Sequence, residues 1–405
     1  MALEFQQHRL ANGLTILGET NDSAHTFSAG LFVKTGSRDE PTQVNGVSHF
    51  LEHMMFKGSD TIDWQAMNRI FDEMGARYNA FTTQEMTAYY ATVLPEFTER
   101  ALEHLGQLLR PALRQADFDT EKKVILEEIA MYQDEPSHRI YEELMAKHFA
   151  NHSLGQSILG PAQTIRDLTR TQMKDYLDQR YGPANMVLSV AGKMDFARVI
   201  ELAEKFYGPW TGSVPTRSHD EQLSIQQDVR MTDEKLNRTY VMAMTPGPGS
   251  QDPMRFAARV LGDVLGDSEG SRLYWSLVDP AIAEEADFGF YPHDGVGSFY
   301  VSIVCSPENT DRSIDIARKI LAESRTGIAA DEIERARNKL VSSLTLSGEQ
   351  PAGRMRSIGG QWLYLNQYRS LEQDIDALAS VDSKSLSDLM ERFPFDPMTI
   401  VRLGP

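Results

Sequence analysis

His49-Phe50-Leu51-Glu52-His53 is the stretch on which the reading of this chain turns. It has the form H-x-x-E-H, the inverted order of the H-E-x-x-H zinc-binding helix. Two histidines four residues apart share one helix face, about one turn apart, so both imidazoles can grip one metal ion. Glu52 sits beside His53 and can turn its carboxylate to the same side. There it can hold a metal-bound water and take its proton. The surrounding run from Val47 to Phe56 is mostly apolar, so the polar trio is expected to be half-buried. Ionisable groups are costly to bury unless they are paired or bind metal. The stretch therefore predicts a metal site.

A catalytic zinc takes three protein ligands and keeps one position open. The third ligand must come from another element. The segment Glu121 to Tyr132 reads as a helix with an apolar stripe through Val124, Ile125, Ile129 and Tyr132. Glu121 and Glu128 are two turns apart and share a face near that stripe. Glu127 is rotated by about 100° from Glu128 and points elsewhere. Taken alone, Glu128 reads as a solvated helix glutamate.

With these residues in view, the chain resembles the M16 peptidases. That family includes pitrilysin, insulin-degrading enzyme, the mitochondrial processing peptidase and bacterial relatives of about this length. In it, H-x-x-E-H is followed roughly 75 residues on by a glutamate ligand, with an accessory glutamate seven positions earlier. Counting from His53 lands on Glu128, with Glu121 as the accessory. Asn79-Ala80-Phe81-Thr82 with Glu85 to Tyr90 resembles the family's N-A-[YF]-T-x-x-E-x-T-x-Y-Y run. There it forms an edge strand beside the zinc that pairs with substrate backbone. Leu154 to Pro161 is similar to the family's L-G-x-x-I-L-G-P segment. Tyr181, Asn185 to Leu188 and Gly192 are similar to its next strand.

The resemblance implies a set of roles. His49, His53 and Glu128 would hold one Zn²⁺ per chain. Glu52 would act as the base, with Glu121 catalytic in support, orienting a ligand. Asn79, Ala80 and Phe81 would present an extended peptide substrate with backbone partners. The implied activity is that of a zinc metalloendopeptidase cutting short or unfolded peptides inside a clam-like chamber. The alternative is a non-catalytic scaffold or partner subunit, but such members usually lose a ligand or the base. Here His49, Glu52, His53 and Glu128 are all present.

The 405 residues suggest two or more domains. Elements in the first half run strand, strand, helix, helix, strand, helices, strand. After a polar, turn-rich stretch the plan restarts, with strands near Thr239–Met244, Phe299–Val304 and Thr399–Leu403. We expect a zinc-bearing domain over 1–210, a linker over 211–220 and a homologous domain over 221–405 without metal ligands. Aligning the halves sets Arg259, Gly262 and Asp263 opposite His49, Glu52 and His53. The fold class is α+β: two homologous domains, each a mixed, mainly antiparallel sheet with helices packed on one side. The resemblance makes this the LuxS/MPP-like metallohydrolase fold.

One departure from the family stands out. Leu265 to Tyr274 matches a glycine-rich stretch ending in S-R-L, but the arginine and tyrosine that follow it in the family are missing. Val278 stands at the arginine's place, and the register does not favour Tyr291 or Tyr300 as the tyrosine. The resemblance implies a homodimer, or a heterodimer with a second M16-type chain that carries the arginine–tyrosine pair.

Composition narrows the remaining classes. A net charge of −18 argues against a nucleic-acid partner. A single cysteine, Cys305, rules out an internal disulfide framework and reads as a buried thiol. No apolar run is long enough to span a membrane. The first ten residues lack the basic and apolar regions of a signal peptide, so the expected location is cytoplasmic. His148 and His152 are not expected to form a second metal site.

Overall fold

The computed structural model describes residues 3–150, 152–217 and 226–405. The first sheet holds β1 (Glu4–Arg9), β2 (Thr15–Thr20), β3 (Phe27–Val33), β4 (Arg77–Thr82), β5 (Thr87–Val93) and β6 (Met186–Gly192), in the order β1-β2-β6-β3-β5-β4. The second holds β7 (Asp228–Thr232), β8 (Thr239–Gly247), β9 (Glu285–Pro292), β10 (Gly297–Cys305) and β11 (Thr399–Gly404), in the order β7-β11-β8-β10-β9. β2 pairs parallel with β6, and β7 parallel with β11; every other pairing is antiparallel. Removing the β1 hairpin strand leaves the same order and polarity in both sheets. The duplicated plan is thus repeated strand for strand.

Local chemistry explains the main elements. β3, Phe-Ser-Ala-Gly-Leu-Phe-Val, is buried along its whole length, as expected for a strand covered on both faces. Asn12-Gly13 turns β1 into β2, with Gly13 at φ +95° and the Asn12 side chain accepting from the Leu14 amide at 3.1 Å. β7 and β9 were not singled out by the sequence pattern. β7 alternates between exposed and half-buried positions with little apolar content, and β9 begins at an exposed glutamate.

The chain forms two compact units that are not contiguous halves. One takes in the described residues of Met1–Ala130, Gln156–Ser218 and Leu346–Arg369; the other takes in those of Met131–Gly155, His219–Thr345 and Ser370–Pro405. A division at 211–220 therefore misses a reciprocal exchange. The helix Pro136–Phe149 packs Ile140, Leu144, Met145 and Phe149 against Met242, Met244, Val401 and Leu403 of the second sheet. The helix Pro351–Leu365 packs Met355, Ile358 and Leu363 against Leu17, Phe32, Val187 and Ala191 of the first. The expected linker falls partly outside the described residues. Among the described residues no helix is long and apolar enough to cross a membrane.

The Pro351–Leu365 helix is latched by charge as well as packing. Arg354 makes a two-pronged contact with Glu19 of β2, at 2.6 and 2.7 Å, and both side chains are almost fully buried. Tyr368 donates its hydroxyl to the same carboxylate at 2.7 Å. Breaking a buried pair from one side strands an uncompensated charge. Arg354→Met should therefore lower unfolding stability by about 3–5 kcal/mol. Denaturant titration checks this, and Glu19→Gln added to Arg354→Met should recover part of the loss.

Candidate metal centre

The H-x-x-E-H segment lies on a helix of nine residues, Val47–Met55. Val47, Phe50, Leu51, Met54 and Met55 are buried, which leaves His49, Glu52 and His53 half-buried on the other face. So short a helix is marginal without tertiary support. Its first turn is held by Glu40, a fully buried carboxylate. Glu40 accepts from the Gly46 amide, the Ser48 amide and Asn45 Nδ2, each at 2.7 Å. Burial pushes the Glu40 carboxyl up, and these bonds counter the shift. Gly46 enters the helix at φ +96°, and a Cβ there would meet the Leu159 carbonyl oxygen at 2.4 Å. The Leu154–Pro161 segment thus backs the start of the motif helix.

The second ligand-bearing element is the helix Gln115–Gln133. Its buried stripe is Phe118, Glu121, Ile125 and Ile129. Val124, assigned to that stripe from sequence, is 43% exposed. Phe118 stacks on Phe50 with ring centroids 4.8 Å apart, which docks this helix on the motif helix.

The predicted residues come together. Among the described residues, His49, His53 and Glu128 offer ligand atoms that all lie within 4.8 Å of one another. Glu128 reaches His49 Nε2 at 3.8 Å and His53 Nε2 at 3.7 Å. Both contacts are too long for hydrogen bonds. They suit donors arranged around one small ion, since two nitrogen or oxygen ligands on a tetrahedral zinc stand about 3.3 Å apart. Two imidazoles and one carboxylate are also the donor types zinc favours. The residues present therefore fit the metal.

Electrostatics prepares the same set. Burial, then the neighbouring His53, pushes His49 down to about 3, which keeps its ring neutral and able to ligate. His53 Nδ1 lies 2.9 Å from Glu121 Oε1. A carboxylate only accepts, so Nδ1 carries the hydrogen and Nε2 keeps its lone pair for a metal. Burial pulls His53 down, but the Glu121 bond and the nearby Glu128 charge outweigh it and raise the ring overall. Burial raises the Glu52 carboxyl, while a 2.5 Å bond from the Thr82 hydroxyl partly opposes the shift.

Asn79, Ala80 and Phe81 lie on β4, the outermost strand of its sheet, which among the described residues pairs with β5 alone. Glu121 is buried against His53 and also forms an ion pair with Lys57. Sequence reasoning missed Glu40, Lys57 and Thr82. Lys57 had a signal, four residues beyond His53 along the same chain direction. Thr82 had a weaker one, at the end of the quoted strand motif. Glu40 had none, because it acts from a loop outside any periodic pattern.

The model of the insulinase family (peptidase family M16) matches residues 15–162. The model described as the peptidase M16 inactive domain matches residues 167–340. The chain belongs to peptidase family M16. It is 28% identical over 410 residues to an uncharacterized zinc protease of Bacillus subtilis, covering 99% of this chain and 98% of that one. It is 28% identical over 414 residues to a probable mitochondrial-processing peptidase subunit beta of Arabidopsis thaliana, covering 98% of this chain and 77% of that one. A protease structure from Helicobacter pylori superposes with a TM-score of 0.93 over 100% of both chains at 18% identity, a likeness of fold.

In the second unit of this M16 chain, Arg272 of the S-R-L stretch is engaged internally. It contacts Glu332 at 2.8 and 2.7 Å. Tyr300 donates to Asp287 at 3.0 Å and stacks on Tyr291. The ligand assignment has a direct check in the neighbouring glutamates. Glu128→Gln should reduce bound zinc from about one per chain to near zero, whereas the exposed Glu127→Gln should keep it. Elemental analysis after dialysis against trace zinc decides between them.

Proposed function

We propose that this chain is a zinc-dependent endopeptidase acting on short or unfolded peptides. The observation that carries the reading is the convergence of His49, His53 and Glu128 beside a Glu52 carboxylate held by Thr82. The family membership and the zinc-protease name of the Bacillus relative point the same way.

Bound between His49, His53 and Glu128, zinc would polarise the scissile carbonyl and acidify a water. Glu52 accepts the proton of the attacking water and returns it to the leaving amine. Its burial favours this role, because a carboxylate with a raised pKa is a stronger base. Thr82 fixes the Glu52 oxygen so that the base faces one way. Glu121 keeps His53 in the ligating tautomer. The outer edge of β4, at Asn79, Ala80 and Phe81, pairs with an extended peptide backbone. Strand pairing of this kind selects unfolded segments over folded ones.

The second unit supplies no arginine at Val278, and its Arg272 is tied to Glu332. We therefore assign the chain to the zinc-bearing role in a pair with a second M16-type chain that contributes substrate-holding residues. The Arabidopsis relative is itself named as a subunit.

The test is cleavage of a mixed peptide pool, read by mass spectrometry, with and without a chelator. Glu52→Gln should keep its zinc and lose at least about a hundredfold in rate. Equal cleavage by Glu52→Gln and wild type would sink the proposal. Thr82→Val should lower kcat about tenfold, the size of one lost hydrogen bond to a charged group, with zinc content unchanged.

A further inference from the structure

We propose that Lys57 is a positioning residue of the metal centre, fixing the Glu121 carboxylate so that His53 stays turned toward Glu128. This deepens the zinc reading and rests on it. The two oxygens of Glu121 have separate partners: Oε1 faces His53 Nδ1 at 2.9 Å, and Oε2 faces the Lys57 ammonium. The Glu121 side chain is 6% exposed. A carboxylate anchored through one oxygen can still swing about that bond. Anchored through both, its plane is set, and so is the imidazole that donates to it.

Lys57 is itself held in place by backbone contacts. Its amide donates to the Met54 carbonyl at 3.1 Å, just past the end of the motif helix. Its carbonyl accepts from Arg114 Nη1 at 3.3 Å, and Arg114 Nη2 donates to the Ser59 carbonyl at 2.5 Å. The Ala112 amide donates to the Gly58 carbonyl at 3.1 Å, and Ser59 forms a bridge with Pro111. Gly58 turns the segment at φ +94°, where a Cβ would meet the Ile62 carbonyl oxygen at 2.4 Å. Residues 57–59 are thereby stitched to 111–114, the segment that leads into the helix bearing Glu121 and Glu128. Lys57 links the helix that carries both histidines to the helix that carries both glutamates.

Charge and geometry predict opposite signs when Lys57 is removed. Glu52, Glu121 and Glu128 make the site acidic, and Lys57 is a cation beside it. By Coulomb attraction alone, deleting that cation would tighten binding of a divalent ion. If Lys57 acts by positioning, deleting it frees Glu121, lets the His53 ring reorient and weakens binding. Partners that orient metal ligands are typically worth 10–100-fold in affinity. Lys57 acts one contact further out, so the lower end is expected.

The experiment measures zinc affinity by competition with a chromophoric chelator, for wild type, Lys57→Met and Lys57→Arg. Positioning predicts affinity about tenfold weaker in Lys57→Met and restored to within about threefold in Lys57→Arg. In a Glu121→Gln background, Lys57→Met should cost no further affinity, because the group it positions is gone. Thermal midpoints of the zinc-free proteins separate a loss of fold from a loss of affinity. Should Lys57→Met fold poorly, Lys57→Gln, which removes the cation but keeps a polar side chain, takes its place in both comparisons with the same expected loss. Wild-type zinc binding with unchanged or tighter binding in Lys57→Met would overturn the role of Lys57 and leave the metal centre standing. A wild type that binds no zinc would overturn the metal reading and this inference together.

Discussion

The anchoring of the nine-residue helix Val47–Met55 is the constraint on which the site depends. A helix of this length gains too few internal hydrogen bonds to offset the entropy of its own ordering. The surrounding chain supplies the difference. Glu40 satisfies the amides at its start from inside the protein. Tyr176 bonds both Ser48 and Thr35 at 2.7 Å, tying the helix to the end of β3. Phe50 stacks on Phe118 of the glutamate helix. Once these contacts are made, the two imidazoles have little freedom left, and the site is organised before any ion arrives.

The same logic governs the charges. The half-buried acids and imidazoles would be costly if left alone. Glu52 has Thr82, His53 has Glu121, and Glu121 also has Lys57. His49 meets the cost differently, by remaining neutral. The outcome is a set of donor atoms within 4.8 Å of one another, with the Glu52 carboxylate fixed by Thr82. The buried Glu19–Arg354 pair ties the Pro351–Leu365 helix to β2. Its burial makes its loss expensive.

The repeated plan has a physical consequence. Each sheet has two apolar faces, and each must be covered. In both units one covering helix comes from the other half of the sequence: Pro136–Phe149 on β8 and β11, and Pro351–Leu365 on β2, β3 and β6. Sequence periodicity could show that these segments are helical and amphipathic. It could not show which sheet each covers, because either sheet offers apolar residues to pack against.

By itself the sequence determined the α+β class, the duplicated plan, the central strands and the histidine pair on one helix face. Those features are written in local spacing: four residues between histidines and alternation along strands. The resemblance to the M16 peptidases selected Glu128 over its neighbours, which spacing alone had left as a solvated glutamate. Only the tertiary structure decided the rest. It placed Glu40 under the motif helix from eight residues before Ser48, and Thr82 on Glu52 across 30 positions. It brought Lys57 to Glu121 and exposed Val124 instead of burying it. It also sent two helices to the unit that their sequence position does not suggest. Each of these depends on which buried polar or apolar group lacked a partner after folding, a question that no local pattern can answer.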